Sequence, residues 1–324
     1  MKEQFKRRLE QKAGVAGLVE ILADRLSGSD LNSLLLEVFR RKASAMKPAE
    51  LVAHHRQNRL VQPSEGDMVA LLEMELSVLQ YFREHGFRPV ELSPVAAFGS
   101  CSGVATVDQQ KVISAVRNTE IVADATNVLA LHIAARLRED PGDREGVARL
   151  CTVHRHVRTQ PIAGKGYTPH FKIGCLVNSG LDKGNYEFEC QSLEEQLSVM
   201  TRVLRERIGI GQFRLLLKRR GGNEGRKQRR GGYDGGRSLI DVVCEHLSKT
   251  MKDLEIALED QPVPNDYYKG IQFKLLVPFG GRELDIADGG FVDWTQRMLE
   301  NRKERLLISG FGLELLYKMK SGML

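Results

Sequence analysis

Three short motifs near the end of the chain constrain its fold more than any other feature. The first reads Asp-Tyr-Tyr-Lys-Gly-Ile-Gln-Phe from Asp266, and the second reads Asp-Gly-Gly-Phe-Val-Asp from Asp288. The third reads Ile-Ser-Gly-Phe-Gly-Leu-Glu-Leu-Leu from Ile308. One short motif matches many unrelated proteins, whereas three motifs in a fixed order and spacing match few. The set is therefore the strongest guide to the fold.

The composition is that of a soluble globular protein. With 324 residues the chain can bury one sizeable core or two modest ones. Its content of 42% hydrophobic and 28% charged residues is ordinary for that class. No apolar run approaches the roughly 20 residues that a membrane span needs, and the first residues lack the apolar stretch of a signal peptide. We therefore expect a cytoplasmic protein that does not associate with membranes.

Neither the cysteines nor the net charge predicts a specialised site. The five cysteines are scattered and include no Cys-x-x-Cys pair, so we expect them to be reduced and to bind no metal. His54 and His55 are adjacent and point to different faces of a helix, whereas paired metal ligands need helical spacing. A net charge of +6 permits weak attraction to polyanions but does not predict nucleic-acid binding.

Local patterns divide the chain into a helical extension, residues 1–66, and a larger unit, residues 67–324. In the extension, residues 31–42 form an amphipathic helix with Ser29-Asp30 as its expected N-cap, and Pro48 begins another helix. Residues 128–137 and 191–208 are predicted helices, and residues 212–217 are a predicted strand.

A strongly apolar helix is predicted at residues 67–83, followed by Gly86 and a strand at residues 87–94. Its apolar residues need a partner surface, so we expect this segment to lie at a two-fold interface. The residues of that expected face are Leu71, Leu72, Leu76, Leu79 and Phe82.

Residues 218–237 are rich in arginine, lysine and glycine. Because glycine maximises backbone freedom and like charges repel, this segment is predicted to be a flexible basic loop at the surface. The alternative is a clamp for polyphosphate or RNA, although Tyr233 is the only aromatic ring in it.

The three motifs resemble the end of the catalytic core of histidyl-tRNA synthetases. That family carries Arg-Gly-x-Asp-Tyr-Tyr-Thr-Gly, Gly-Gly-Arg-Tyr-Asp and Gly-Phe-x-x-Gly-Leu-Glu-Arg in the same order. The helix and strand at residues 67–94 stand where class II synthetases have their dimer motif. The resemblance implies an α+β fold of the class II aminoacyl-tRNA synthetase type, with an antiparallel sheet flanked by helices. It also implies a homodimer without the family's anticodon-binding domain, so no tRNA is expected to be read through its anticodon.

The resemblance further implies a ligand site. Arg158 would contact the α-phosphate of ATP, Phe171 would stack on adenine, and Lys165 would be a loop cation, with Mg²⁺ accompanying the nucleotide. At the amino-acid end, Asp124 and Thr126 would hold the ammonium group of an amino-acid-like ligand, and Tyr268 would line its pocket.

Several positions depart from the family pattern. Val263, Phe291 and Leu315 stand where the family has arginines, and Gln160 replaces the glutamate that orients adenine. Losing a charge-assisted phosphate contact costs about 1.5 to 3 kcal/mol, so efficient adenylate formation is not expected. Ile173 and Val177 stand where the family has Gln and Glu, which makes the pocket a poor match for an imidazole.

Three functions follow as hypotheses. The first is a divergent class II synthetase paralogue that binds an amino acid, an adenine nucleotide or both, outside ordinary tRNA charging. If catalysis is retained, the reaction is ATP-dependent ligation through an acyl-adenylate. The second is a catalytically inactive regulatory subunit of ATP phosphoribosyltransferase, whose partner would be the phosphoribosyltransferase. The third is an RNA-binding protein acting through residues 218–237 and the basic N-terminal helices.

Overall fold

The computed structural model describes residues 3–142, 146–161, 167–221, 237–263 and 267–324. Its strands, in chain order, are β1 (Arg88–Pro89), β2 (Val95–Ala97), β3 (Ser114–Ala115), β4 (Thr119–Ile121), β5 (Ala148–Val157), β6 (His170–Leu181), β7 (Arg214–Arg220), β8 (Glu255–Val263), β9 (Gly270–Phe279), β10 (Arg282–Val292) and β11 (Glu304–Phe311). Its α-helices are α1 (Glu3–Ala13), α2 (Leu18–Glu20), α3 (Gly28–Ser44), α4 (Pro48–Gln57), α5 (Met68–Glu84), α6 (Ala125–Glu139), α7 (Glu187–Arg202), α8 (Leu239–Thr250), α9 (Trp294–Met298) and α10 (Leu313–Lys320). Short π-helical turns follow α2 and α7, at Ile21–Arg25 and Val203–Ile208.

A mixed, mostly antiparallel sheet organises the described residues. Its order is β1-β5-β6-β11-β10-β9-β7-β8. The inner strands from β5 to β7 pair antiparallel, while β1 and β8 pair parallel at the two edges. A small antiparallel sheet, β2-β4-β3, lies beside it. The predicted antiparallel sheet flanked by helices is therefore confirmed.

The core lies on both faces of the large sheet. Neighbouring strand residues point to opposite faces, so Cys151 packs on one side and Leu150 on the other. One face is covered by α5, α7, α8 and α10, and the other by α6 and α9. Trp294 of α9 is 1% exposed and anchors the second face.

Helix α5 begins where it was predicted to begin. The Asp67 side chain accepts hydrogen bonds from the amides of Val69 and Ala70 at 2.8 and 3.2 Å, which caps the helix. The following strand is shorter than predicted, because only Arg88–Pro89 pair in the sheet. Pro89 has no amide to donate, and the amide of Val90 makes a last bond of 2.8 Å to Cys151.

The predicted interface face of α5 is wrong for Leu71 and Phe82. Leu71 and Phe82 are buried in the core, together with Val78, whereas Leu72 and Leu76 are 42% and 57% exposed. The reason is the 3.6-residue helical period, which places positions 71, 78 and 82 on one side and positions 72 and 76 on another.

Two other boundaries differ from prediction. Helix α3 is capped by Ser27 rather than by Ser29-Asp30, since the Ser27 hydroxyl accepts from the Asp30 amide at 3.1 Å. Lys218–Arg220, assigned to the basic loop from sequence, belong to β7, where they pair with β9. Residues 222–236, the rest of that predicted loop apart from its two ends, lie outside the described residues.

The N-terminal helices touch the rest of the molecule at a few polar contacts. None of the described residues of α1 to α4 is buried. Asn32 bonds to the turn between β3 and β4, and Gln62 accepts through its carbonyl from the His170 ring at 2.6 Å. The division into units at residue 66 stays a prediction. Every helix within the described residues falls short of the length and apolarity that a membrane crossing requires.

Candidate ligand-binding site

A cavity of about 280 Å³ opens against the large sheet, where β5, β6, β10 and β11 meet the start of α6. Four of the residues singled out from the sequence line it: Asp124, Thr126, Arg158 and Tyr268. Phe171 lies beside Arg158, and Lys165 lies outside the described residues. The cavity therefore brings together residues that are far apart in the chain.

Asp124 organises one end of the cavity. It is the N-cap of α6, and its Oδ1 accepts from the Thr126 amide at 2.9 Å and from the Thr126 hydroxyl at 2.7 Å. Its Oδ2 accepts from the hydroxyl of Tyr267. Burial opposes ionisation of Asp124, but the adjacent His156, these hydrogen bonds and the charge of Arg158 together lower its pKa. Asp124 is therefore a carboxylate that can bind a cationic group.

Tyr267 was missed from sequence, where only the second tyrosine of the doublet was assigned a role. Its ring packs edge-on against Tyr268 and Trp294, with centroid distances of 4.7 and 5.3 Å. This packing directs its hydroxyl to Asp124. The Tyr-Tyr doublet was the available signal, since both members line the cavity.

His156 is a neutral histidine in the wall of the cavity. Its Nε2 accepts a hydrogen bond of 3.1 Å from the amide of Ala125, which places its proton on Nδ1. Burial lowers the pKa of His156 to about 3. Among the described residues, its Nδ1 has no hydrogen-bond partner.

A second carboxylate, Asp288, lines the cavity and was not assigned a role from sequence. It accepts from Nε2 of Gln272 at 2.8 and 3.0 Å and from the hydroxyl of Tyr268. The Gln272 carbonyl in turn accepts from Nε of Arg220 at 2.7 Å. Burial raises the pKa of Asp288, against the opposing effects of Gln272 and Lys274.

Arg158 forms the cationic end. It follows directly after β5, and its amide donates to the carbonyl of Pro169 at 2.8 Å. Its Nε donates to the carbonyl of Ala123 at 3.3 Å, and its guanidinium lies 5.5 Å from the centre of the Phe171 ring. Within the described part of the chain, Arg158 has no salt-bridge partner, so its charge can bind an anion.

Glycine is required where β10 passes Tyr268. A Cβ atom at Gly290 would lie 2.5 Å from the carbonyl of Ile271 and 2.7 Å from Cδ1 of Tyr268. Gly289 is equally crowded, against Phe273 and Ser309. The glycine pair in the second motif therefore lets the strand approach the tyrosine closely.

Three of the residues that depart from the family pattern lie at or next to the cavity. Ile173 and Leu315 line the cavity, where they replace polar and cationic groups with apolar ones. Val177 is fully buried beneath it. The described residues contain no group of three or more histidines, cysteines or acids placed to hold a metal ion.

Comparisons with solved structures identify the fold. An ATP phosphoribosyltransferase regulatory subunit/histidyl-tRNA synthetase from Bacillus halodurans matches with a TM-score of 0.58 at 13% identity, over 81% of this chain and 83% of that one. The apo histidyl-tRNA synthetase of S. aureus matches with a TM-score of 0.56 at 14% identity, over 81% and 70% of the two chains. Pyrrolysyl-tRNA synthetase from Desulfitobacterium hafniense matches with a TM-score of 0.51 at 15% identity, over 99% and 91%.

These matches show that the chain has a class II aminoacyl-tRNA synthetase-like fold, similar to that of histidyl-tRNA synthetase and of the phosphoribosyltransferase regulatory subunit. A scan against protein-family models gives no match, and neither does a search of curated proteins. At these identities the likeness establishes the fold and leaves the activity to be argued from the cavity.

Proposed function

We propose that this protein is a divergent class II synthetase paralogue that binds an amino acid, an adenine nucleotide or both, and acts outside ordinary tRNA charging. The observation that carries the proposal is the placement of Asp124 and Arg158 in one cavity. Asp124 offers a carboxylate to an ammonium group, and Arg158 offers a guanidinium to a carboxylate or phosphate. These are the two charged groups of an amino acid or of its adenylate.

The chain's own residues support binding more strongly than catalysis. Tyr267 and Thr126 hold Asp124 ionised and fix its orientation. Arg158 would hold the α-phosphate of ATP, with Phe171 beside it as the adenine platform. When bound, ATP supplies a phosphoanhydride that a carboxylate can attack. Leu315 leaves the cavity without a cation at the family's third-motif position, so the activation chemistry is weakened.

Calorimetry with ATP and pyrophosphate exchange with a panel of amino acids test this function. Arg158→Ala should weaken nucleotide binding by about 1.5 to 3 kcal/mol, roughly ten- to a hundredfold. Leu315→Arg should strengthen it by restoring the missing cation. Arg205→Ala is a matched control, since the Arg205 guanidinium also lies over a phenylalanine, 4.8 Å from the Phe213 ring, but does not line the cavity.

The absence of any nucleotide or amino-acid binding, by calorimetry and by thermal shift, would refute the proposal. Binding without pyrophosphate exchange would support the ligand site and rule out the ligase activity. Mg²⁺ should be present in both assays, since it accompanies ATP in the family that the chain resembles.

A regulatory subunit of ATP phosphoribosyltransferase is the second candidate. It is favoured by the likeness to the Bacillus halodurans regulatory subunit and by the apolar residue at position 315, because a regulatory subunit needs a ligand and an interface but no activation chemistry. Co-purification with a short-form phosphoribosyltransferase at micromolar concentration tests it, and failure to associate counts against it.

A cytoplasmic homodimer is part of the proposal. Helix α5 exposes Met68, Val69, Leu72 and Leu76, a contiguous apolar strip that a second copy would cover. Light scattering should give twice the monomer mass, and Leu76→Glu should lower it to the monomer value. A monomeric wild-type chain would contradict this part.

A further inference from the structure

We infer that the ligand of the cavity is a diamino acid, whose α-ammonium group is bound by Asp124 and whose side-chain ammonium group is bound by Asp288. The inference rests on the proposed function, in that the cavity must take an amino acid. It goes further by naming the class of side chain and the residue that selects it.

The charges that line the cavity support a ligand with two cationic groups. Three carboxylates line it, those of Asp124, Asp285 and Asp288, and Arg158 is the one basic side chain among the lining residues that the structure describes. Asp285 is paired with Lys274, so its charge is already compensated. Asp124 and Asp288 remain, and neither has a salt-bridge partner among the described residues.

Both remaining carboxylates are held by neutral donors. Asp124 accepts from the hydroxyls of Tyr267 and Thr126, and Asp288 accepts from the amide of Gln272 and the hydroxyl of Tyr268. Neutral donors fix the position of a carboxylate without cancelling its charge. Each acid is therefore positioned to accept from a ligand, and a ligand cation would favour the ionised form of Asp288 against the burial that raises its pKa.

Gln272 is itself oriented for this role. Its carbonyl oxygen accepts from Nε of Arg220 at 2.7 Å, so its amide group must face Asp288 as a donor. An ionised carboxylate has about four acceptor positions, and the contacts from Gln272 and Tyr268 use three of them. Asp288 thus keeps an acceptor position for a ligand ammonium group.

The two tyrosines connect the two acids. The Tyr267 hydroxyl bonds to Asp124, the Tyr268 hydroxyl bonds to Asp288, and the two rings meet edge-on at 4.7 Å between centroids. Asp124 and Asp288 are therefore each held by one member of a tyrosine pair that lines the cavity. A ligand that binds both acids needs two cationic groups.

The apolar part of the cavity wall suits the methylene groups of a ligand. Ile173 and Ile308 line the cavity and offer only apolar surface to a ligand. A cavity of about 280 Å³ lies at the small end of the range for ligand pockets, roughly 300 to 1,000 Å³, which fits an amino acid. Lysine, ornithine and 2,4-diaminobutyrate are the members of the class to test.

The experiment compares side chains that differ in the second ammonium group. Calorimetry on the full chain should show that L-lysine or L-ornithine binds at least about tenfold more tightly than L-norleucine, which has a side chain of similar length without the charge. Asp288→Asn should remove that preference, so that L-lysine and L-norleucine bind with similar affinity to the variant. Glu283→Gln is the control, because it removes an acid of the same strand that is paired with Arg214 and does not line the cavity.

Three outcomes overturn the inference. One is equal binding of lysine and norleucine by the wild-type chain, a comparison that needs no variant to fold. Another is an equal loss in Glu283→Gln and Asp288→Asn, which would indicate a general effect of charge. A third is failure of every amino acid to bind. In that case the proposed function would rest on nucleotide binding alone, whereas tight binding of an uncharged amino acid refutes the diamino class and leaves the proposed function standing.

Discussion

The backbone amide of Asp67 donates a hydrogen bond of 2.8 Å to the hydroxyl of Tyr317. This contact joins the residue that caps α5 to α10, the helix whose Leu315 lines the cavity. Gly66 packs against the same ring, where a Cβ atom would lie 2.9 Å from Cε1, and its φ of +116° is unfavourable for other residues. Tyr317 therefore holds the segment before α5 against α10, next to the contact of Ser64 with Glu314.

Tyr317→Phe should lower the free energy of unfolding by about 1 to 2 kcal/mol, because it removes the acceptor of the Asp67 amide and keeps the ring. Urea denaturation measures the effect. Tyr167→Phe is a control on a tyrosine that is 38% exposed, and it should change stability little. Equal stabilities of the Tyr317→Phe variant and the wild type would show that water replaces the hydroxyl.

Gly290→Ala should destabilise the fold by about 1 to 3 kcal/mol and weaken any ligand bound beside Tyr268. The added methyl group meets a backbone carbonyl at 2.5 Å and the Tyr268 ring at 2.7 Å, and the carbonyl cannot move aside cheaply. Gly211→Ala is the control, since nothing lies within 4 Å of its Cβ position. Thermal unfolding of both variants measures the difference, and equal melting temperatures would contradict the crowding argument.

Local signals were the most informative, although the cap of α3 lies at Ser27 and not at Ser29-Asp30. Asp67 followed by an apolar run predicts α5 and its cap, and both are present, because a cap and its helix lie within one turn. The three ordered motifs predicted the antiparallel sheet.

Contacts between distant segments could not be predicted in this way. Tyr267 reaches Asp124 across 143 residues, and no local pattern encodes that pairing. Asp288 appeared only as the first letter of a glycine motif, and its bonds to Gln272 and Tyr268 depend on the register of β9 against β10. The same limit explains the misjudged face of α5, since the apolar residues alone do not say which side meets the sheet.

Asn32→Ala should speed amide exchange at Arg117 and Asn118. The side-chain oxygen of Asn32, Oδ1, accepts from the amides of Arg117 and Asn118 at 2.6 and 3.2 Å. These bonds hold both residues at positive φ, 68° and 56°. Losing about 1 kcal/mol of hydrogen bonding corresponds to exchange about fivefold faster at these two positions. Ser33→Ala, one residue further along the same helix, is the control. Both variants place alanine in the same helix, so any effect on helix stability is shared. Unchanged exchange at residues 117 and 118 in Asn32→Ala would mean that Asn32 does not hold the turn.

His156→Gln should make the protein less sensitive to acid. Burial lowers the pKa of His156 to about 3, so the folded chain keeps this ring neutral while the unfolded chain protonates it below about pH 6.5. The unfolded state therefore binds more protons, and stability falls as the pH drops from about 6.5 towards 3. Between pH 6.0 and 4.5 protonation of this one ring in the unfolded state should lower the stability of the wild type by about 2 kcal/mol, a loss that the variant does not show.

The glutamine oxygen can still accept from the Ala125 amide, and His54→Gln is an exposed control. Urea denaturation at the two pH values measures the difference, and parallel losses in wild type and variant would show that His156 is protonated in the folded state.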